Sequence, residues 1–107
     1  LGENVSDMSG VQIAYDGLQI ALARNGLRPD AKGADGLTPG QRFFTAYATL
    51  WRSKQRVEAM VNQLRTDPHS PGPYRVLGPL ANTPAFAQAF ACKPGATYAP
   101  ATPLTVW

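Results

Sequence analysis

Ten prolines and ten glycines in a chain of 107 residues, most of them gathered in residues 25–40 and 66–103, limit how much regular structure this sequence can hold. Proline has no backbone N–H to donate, and glycine loses the most freedom on ordering, so dense clusters of the two interrupt helices and strands alike. Two intervals escape, residues 2–25 and 38–65, and long helices are expected there. The length suits one small domain with a limited core. A hydrophobic content of 44% is ordinary for a globular chain and argues against disorder.

In the first interval Val11, Ala14, Leu18 and Leu22 recur at helical spacing, and Asn25-Gly26 supplies a C-terminal stop. "GLRPDAKGADGL" (residues 26–37) reads as a loop. Thr38 opens the second interval as an N-cap, with Pro39 in the first turn and Gln41 completing a capping box. The stripe Phe43, Tyr47, Leu50, Trp51, Val57, Val61 and Leu64 carries a helix to about Arg65, with room for a break at "RSKQ". Residues 66–83, holding four prolines and two glycines, are expected as a rigid irregular loop with at most a short extended piece. Thr83 and Pro84 cap a short helix, and beyond Cys92 the tail is expected to be extended, ending on Trp107. No alternating pattern is long enough for a sheet. The expected fold is mostly α: two long helices plus a short C-terminal helix, with a Pro/Gly-rich loop and an extended tail.

The formal net charge of +3 comes without any block of like charge, so nothing resembles a nucleic-acid arm. Arg42, Arg52, Lys54 and Arg56 interleave with aromatic residues, but the aromatics share one helical stripe and read as core, so no nucleic-acid partner is expected. No apolar run approaches membrane-spanning length and no signal peptide is visible. The first residue is Leu1, so the natural start of the gene product, with any targeting segment, is expected to lie upstream. The single cysteine, Cys92, does not by itself fix the redox compartment.

Two stretches carry chemistry. "LGENVSD" sets Glu3 and Asp7 one helical turn apart, within roughly 60° of the direction marked by Val11 and Leu18. A carboxylate on a buried face needs a cation, a metal or several donors. Acids near a helix N-terminus also complement the macrodipole, and that plain reading stays open. The sharper reading is a zinc site, with Glu3 as a ligand and Asp7 orienting a ligating imidazole. The second stretch, "TDPHSPGPYR", places the one histidine, His69, between prolines with Asp67 before it and Arg75 after. Asp67 can accept from one ring nitrogen and leave the other aimed outward as a donor suited to an oxyanion, while Arg75 suits a peptide carbonyl or carboxylate. A lone surface histidine in a turn is the plain alternative.

In this order and at this spacing, "GENVSD", "GLTPGQRFFTAYATLWRSKQR", "TDPHSPGPYRVLGPLANTPAFAQAFAC" and the terminal "VW" resemble the C-terminal end of the neprilysin and endothelin-converting-enzyme family of zinc metallopeptidases. The resemblance implies a C-terminal fragment of a gluzincin-type catalytic domain, acting on small peptides with one zinc ion. It implies that Glu3 is the third zinc ligand and that Asp7 holds a zinc-binding histidine. It further implies that His69 stabilises the tetrahedral oxyanion, oriented by Asp67, and that Arg75 binds a backbone carbonyl of the substrate. The family's His-Glu-x-x-His helix and its upstream Asn-Ala motif are not in this sequence, so residues 1–107 alone are expected neither to hold zinc nor to be active, and the missing N-terminal part of the same chain is the expected partner.

Two departures accompany the match. Mammalian members carry a cysteine where this chain has Leu104, so that bridge is absent, and the cysteine matching Cys92 pairs far upstream in those enzymes. The family implies an extracytoplasmic place, periplasmic in a bacterium or else secreted or membrane-anchored. A small helical binding module and a catalytically dead family member are the rival readings. Separated from its partner, the face bearing Glu3, Asp7, Val11 and Leu18 is expected to expose an apolar patch with unpaired carboxylates and so favour self-association, with Cys92 as a free thiol.

Overall fold

The first helix forms over the full length expected of it: α1 spans Gly2–Arg24 in the computed structural model, which describes residues 2–106. The expected ending on Trp107 and the start at Leu1 lie outside the described residues. Gly26, at φ 63°, closes α1, with Leu27 N–H reaching back to Leu22 O at 2.9 Å and Gly26 N–H to Ala23 O at 3.1 Å. That pair of bonds satisfies carbonyls the helix end would otherwise orphan, and it needs the left-handed conformation that glycine adopts without penalty.

Helix α2 spans Pro39–Leu50 and begins with the capping box read from the sequence: Gln41 N–H donates to the Thr38 hydroxyl, and Thr38 N–H to the Gln41 side chain. The expected long second helix is divided here. Trp51 caps α2, residues 52–56 run without regular structure, and α3 restarts at Val57–Thr66. Thr45 and Thr49 each return a hydroxyl to the carbonyl four residues back at 2.8 Å, a bond that weakens a helix near its end. The polar run after Trp51 then gives no buried face to continue on.

The expected irregular loop is also corrected, because α4 occupies Gly72–Ala81. Position explains why its prolines are tolerated. Pro71 sits at the N-cap and Pro73 in the first turn, where no intrahelical N–H is required. Pro79 lies deeper and leaves the Arg75 carbonyl without its partner four residues on. The Tyr47 hydroxyl of α2 donates to that carbonyl at 2.8 Å. A helix interrupted in sequence is thus completed by a side chain from another helix. Tyr47→Phe removes the donor at nearly constant volume, and thermal unfolding is expected to show a loss of about 1 kcal/mol; an unchanged midpoint would mean that solvent serves the carbonyl equally well.

Helix α5, Pro84–Ala89, starts at the expected proline, although Thr83 does not cap it through its side chain. Its hydroxyl instead donates to Pro79 O at 2.8 Å, finishing α4. The tail is less extended than expected. Gly95 (φ 81°) turns the chain so that its N–H meets Ala99 O at 2.8 Å, and Leu104 N–H is held by the Asn82 side chain at 2.7 Å.

The core joins α1, α2 and α4 through Val11, Phe44 and Leu80, with Tyr15 and Phe86 packed against it. Tyr15 stacks on Phe44 at 5.0 Å, and Phe86 meets Phe44 edge-on at 5.6 Å, the offset and T-shaped arrangements aromatic rings prefer. The radius of gyration is 15.4 Å, against about 13 Å for a compact chain of this length. Helix α3 contributes to that excess, for it buries none of its residues. Contrary to expectation, the α1 face bearing Asp7 and Val11 is not left bare. It packs on α4 and Val11 is buried; of the large exposed apolar residues of α1, Ile13 and Ile20 lie on the opposite side and Val5 on the flank.

Candidate active site

Helices α1 and α4 and the turn between α3 and α4 bring all five residues singled out in the sequence close together, in two neighbouring sets: Asp7 with Arg75, and Glu3 and Asp67 with His69. Asp7, one turn into α1, receives Arg75 of α4 in a two-pronged pair: Nε to Oδ2 and Nη2 to Oδ1, both at 2.7 Å. Only 12% of the Asp7 side chain and 17% of that of Arg75 is exposed, so this pair is shielded, and removing either partner would strand a charge. Asp7 raises the Arg75 guanidinium further above its ordinary value, chiefly through these hydrogen bonds. A guanidinium has five N–H donors, and Asp7 takes two.

His69 follows an Asx-type turn made by Asp67, whose Oδ1 accepts from the His69 backbone N–H at 2.9 Å and lies 2.7 Å from Nδ1 of the ring. Those contacts, the backbone one first, hold the Asp67 carboxyl below the usual range, so it stays ionised well into acid. The other ring nitrogen, Nε2, lies 3.1 Å from Glu3 Oε2. A neutral imidazole has a single N–H, so both carboxylates are hydrogen-bonded at once only by the imidazolium. Roughly two-fifths of each of these three side chains is exposed. Pairs so wet are worth little and separate readily, leaving Glu3 free to turn to another partner. Ser70 ties the same turn to α1, donating to Asn4 Oδ1 at 2.9 Å.

Trp51 belongs to this group, though its place on the aromatic stripe reads as core. The Arg75 guanidinium lies 3.9 Å from the centroid of its ring, a cation–π contact that with Asp7 fixes the plane of the guanidinium. The signal for it was its position as the last stripe residue before "RSKQ", where a helix end can leave a ring face open to a neighbour. Gly72 makes the approach feasible, because a Cβ there would sit 2.7 Å from the Trp51 carbonyl oxygen. A cavity of about 460 Å³ opens beside these residues, bordered by Trp51, Asp67, His69 and Arg75.

The arrangement offers an imidazole donor, a guanidinium with unused donors and three carboxylates. It does not make a metal site alone: among the described residues no three His, Cys, Asp or Glu side chains are grouped to hold an ion. Glu3 can supply one oxygen to a site whose other ligands lie elsewhere.

The model of peptidase family M13 matches residues 1–106. The chain belongs to peptidase family M13. Among relatives, Neprilysin-2 of Caenorhabditis elegans is 39% identical over 106 residues, and human endothelin-converting enzyme 1 is 38% identical over 107. These alignments take in 99% and 100% of this chain and 14% of each relative. A zinc metalloprotease of Mycobacterium tuberculosis, solved by electron cryo-microscopy in an open state, superposes with a TM-score of 0.86 at 38% identity. That match covers 99% of this chain and 16% of the other. The M13 chain described here is therefore mostly helical in the manner of a solved M13 peptidase, and it spans about a seventh of the length of the relatives it matches.

Proposed function

We propose that residues 1–107 form the C-terminal part of the catalytic domain of a zinc-dependent endopeptidase that hydrolyses small peptides. Membership of the M13 peptidases supports the class. The observation that carries the roles is the double pairing of α1 with the region around α4: residue 3 meets residue 69, which residue 67 holds, and residue 7 meets residue 75, at 2.7–3.1 Å.

Glu3 is the metal ligand this chain supplies. It stands at the open edge of the group, and its carboxylate is bound to nothing stronger than a half-exposed imidazole. Zinc, when bound, would polarise the scissile carbonyl and activate water. Asp7 holds Arg75, and the lone pairs left on its carboxylate can orient the imidazole of a ligand from outside these residues. The unused N–H groups of Arg75 bind a backbone carbonyl of the peptide. His69 donates to the oxyanion that develops when that peptide is attacked, with Asp67 fixing its ring. Its Nε2, lying 3.1 Å from a Glu3 oxygen, is close to where a Glu3-bound metal and the reacting carbonyl would be.

The proposed location is extracytoplasmic, periplasmic or else secreted or membrane-anchored. A mouse relative, 41% identical over 107 residues, is named membrane metallo-endopeptidase-like 1. No helix among the described residues is long and apolar enough to cross a membrane.

The full-length gene product tests this reading. It is expected to carry about one zinc per chain and to cleave small peptides, to lose that activity to a chelator and to regain it with added zinc. A purified product that holds zinc yet cleaves no peptide would contradict the enzymatic reading, and one that cleaves peptides without metal would contradict the zinc reading.

A further inference from the structure

We propose that Gln63 of α3 is a positioning residue for His69, tying the backbone that carries the imidazole to α3 and, through Gln55, to the segment that follows α2. Its side-chain Nε2 donates to the backbone carbonyl of His69 at 3.3 Å, and its Oε1 accepts from Gln55 Nε2, in the segment before α3, at 3.0 Å. The reverse orientation of the amide would set two acceptors face to face. Gln63 is the one residue of α3 that is not exposed, and α3 makes no extensive contact with another helix. The helix thus meets the site through this amide rather than through packing.

The turn needs such an anchor. Asp67 fixes the imidazole relative to its own turn, since it lies only two residues away. It cannot fix that turn relative to the rest of the molecule. A cavity of about 460 Å³ borders the turn, so close packing holds the chain only further on, at the buried Pro71. Three side-chain links remain: Ser70 to Asn4 and the His69 ring to Glu3 on the α1 side, and Gln63 to the His69 carbonyl on the α3 side. An oxyanion donor displaced by a fraction of an ångström loses much of its effect, so a link to its own backbone bears on the rate more than on substrate binding.

The inference rests on the oxyanion role proposed for His69, and the test separates the two. In the full-length enzyme, Gln63→Met removes the donor at similar side-chain length on a helix with no buried residue, and zinc content checks that the site is intact. The expected result is a kcat about three- to tenfold lower with KM unchanged. The same substitution added to His69→Ala is expected to cause no further loss, because it acts through the imidazole. An unchanged kcat in Gln63→Met, or an equal loss in both backgrounds, would overturn the positioning role. His69→Ala with a wild-type kcat would instead overturn the reading of His69, and the positioning role with it.

Discussion

Replacing Glu3 by alanine in the full-length protein is expected to strip zinc from it and abolish peptide hydrolysis. A catalytic zinc is held by three protein ligands, and deleting one leaves a site too weak to survive dialysis. The structure makes this a clean experiment. Glu3 lies in the first turn of α1, its side chain is 44% exposed, and its one ion-pair contact is the His69 ring at 3.1 Å. It contributes nothing to the Val11, Phe44 and Leu80 core, so the variant is expected to fold and unfold like the parent. Metal analysis after dialysis, beside a helical circular dichroism spectrum, reads both quantities. A Glu3→Ala protein that keeps one zinc per chain would remove Glu3 from the ligand set.

The second large effect is expected at His69. A donor to a developing oxyanion works mainly in the transition state, and losing one costs roughly a hundred- to a thousandfold in kcat while KM moves little. The ring is held in place by Asp67 on one side and is free on the other once Glu3 is engaged elsewhere, so His69→Ala removes the donor without disturbing the buried Asp7–Arg75 pair. Steady-state kinetics on a small peptide give the split. A variant with normal kcat and a raised KM would assign His69 to binding.

How far the sequence disclosed this arrangement depended on the range of each interaction. The C-terminal end of α1 and the start of α2 were legible because their signals are local: Asn25-Gly26, and Thr38, Pro39 and Gln41 within a single turn. Glu3, Asp7, Asp67, His69 and Arg75 could be singled out from two short motifs and a resemblance. Their partners could not. That Asp7 meets Arg75, 68 residues away, is a product of α1 packing on α4, which no local pattern states. Helix α4 escaped for the same reason. Its prolines count as breakers in composition, and only the fold supplies the Tyr47 hydroxyl that replaces the bond lost at Pro79. The break after Trp51 has a tertiary reason too, since ending α2 there lets the indole ring lie against Arg75.

The structure also changes what Asp7 is expected to do. From the sequence its carboxylate reads either as orienting an external imidazole or as complementing the dipole of α1. With Arg75 donating to both oxygens at 2.7 Å, one residue links the metal side of the proposed site to its substrate side. A change at Asp7 therefore reaches both, whereas changes at Glu3 and His69 remain separable.

The most direct test of the account is a crystal structure of the full-length protein with zinc bound. A Glu3 carboxylate oxygen is expected about 2.0–2.2 Å from the ion, with the His69 ring released from Glu3 and facing the substrate side. Zinc held by a complete ligand set that excludes Glu3, with Glu3 still paired to His69, would contradict it.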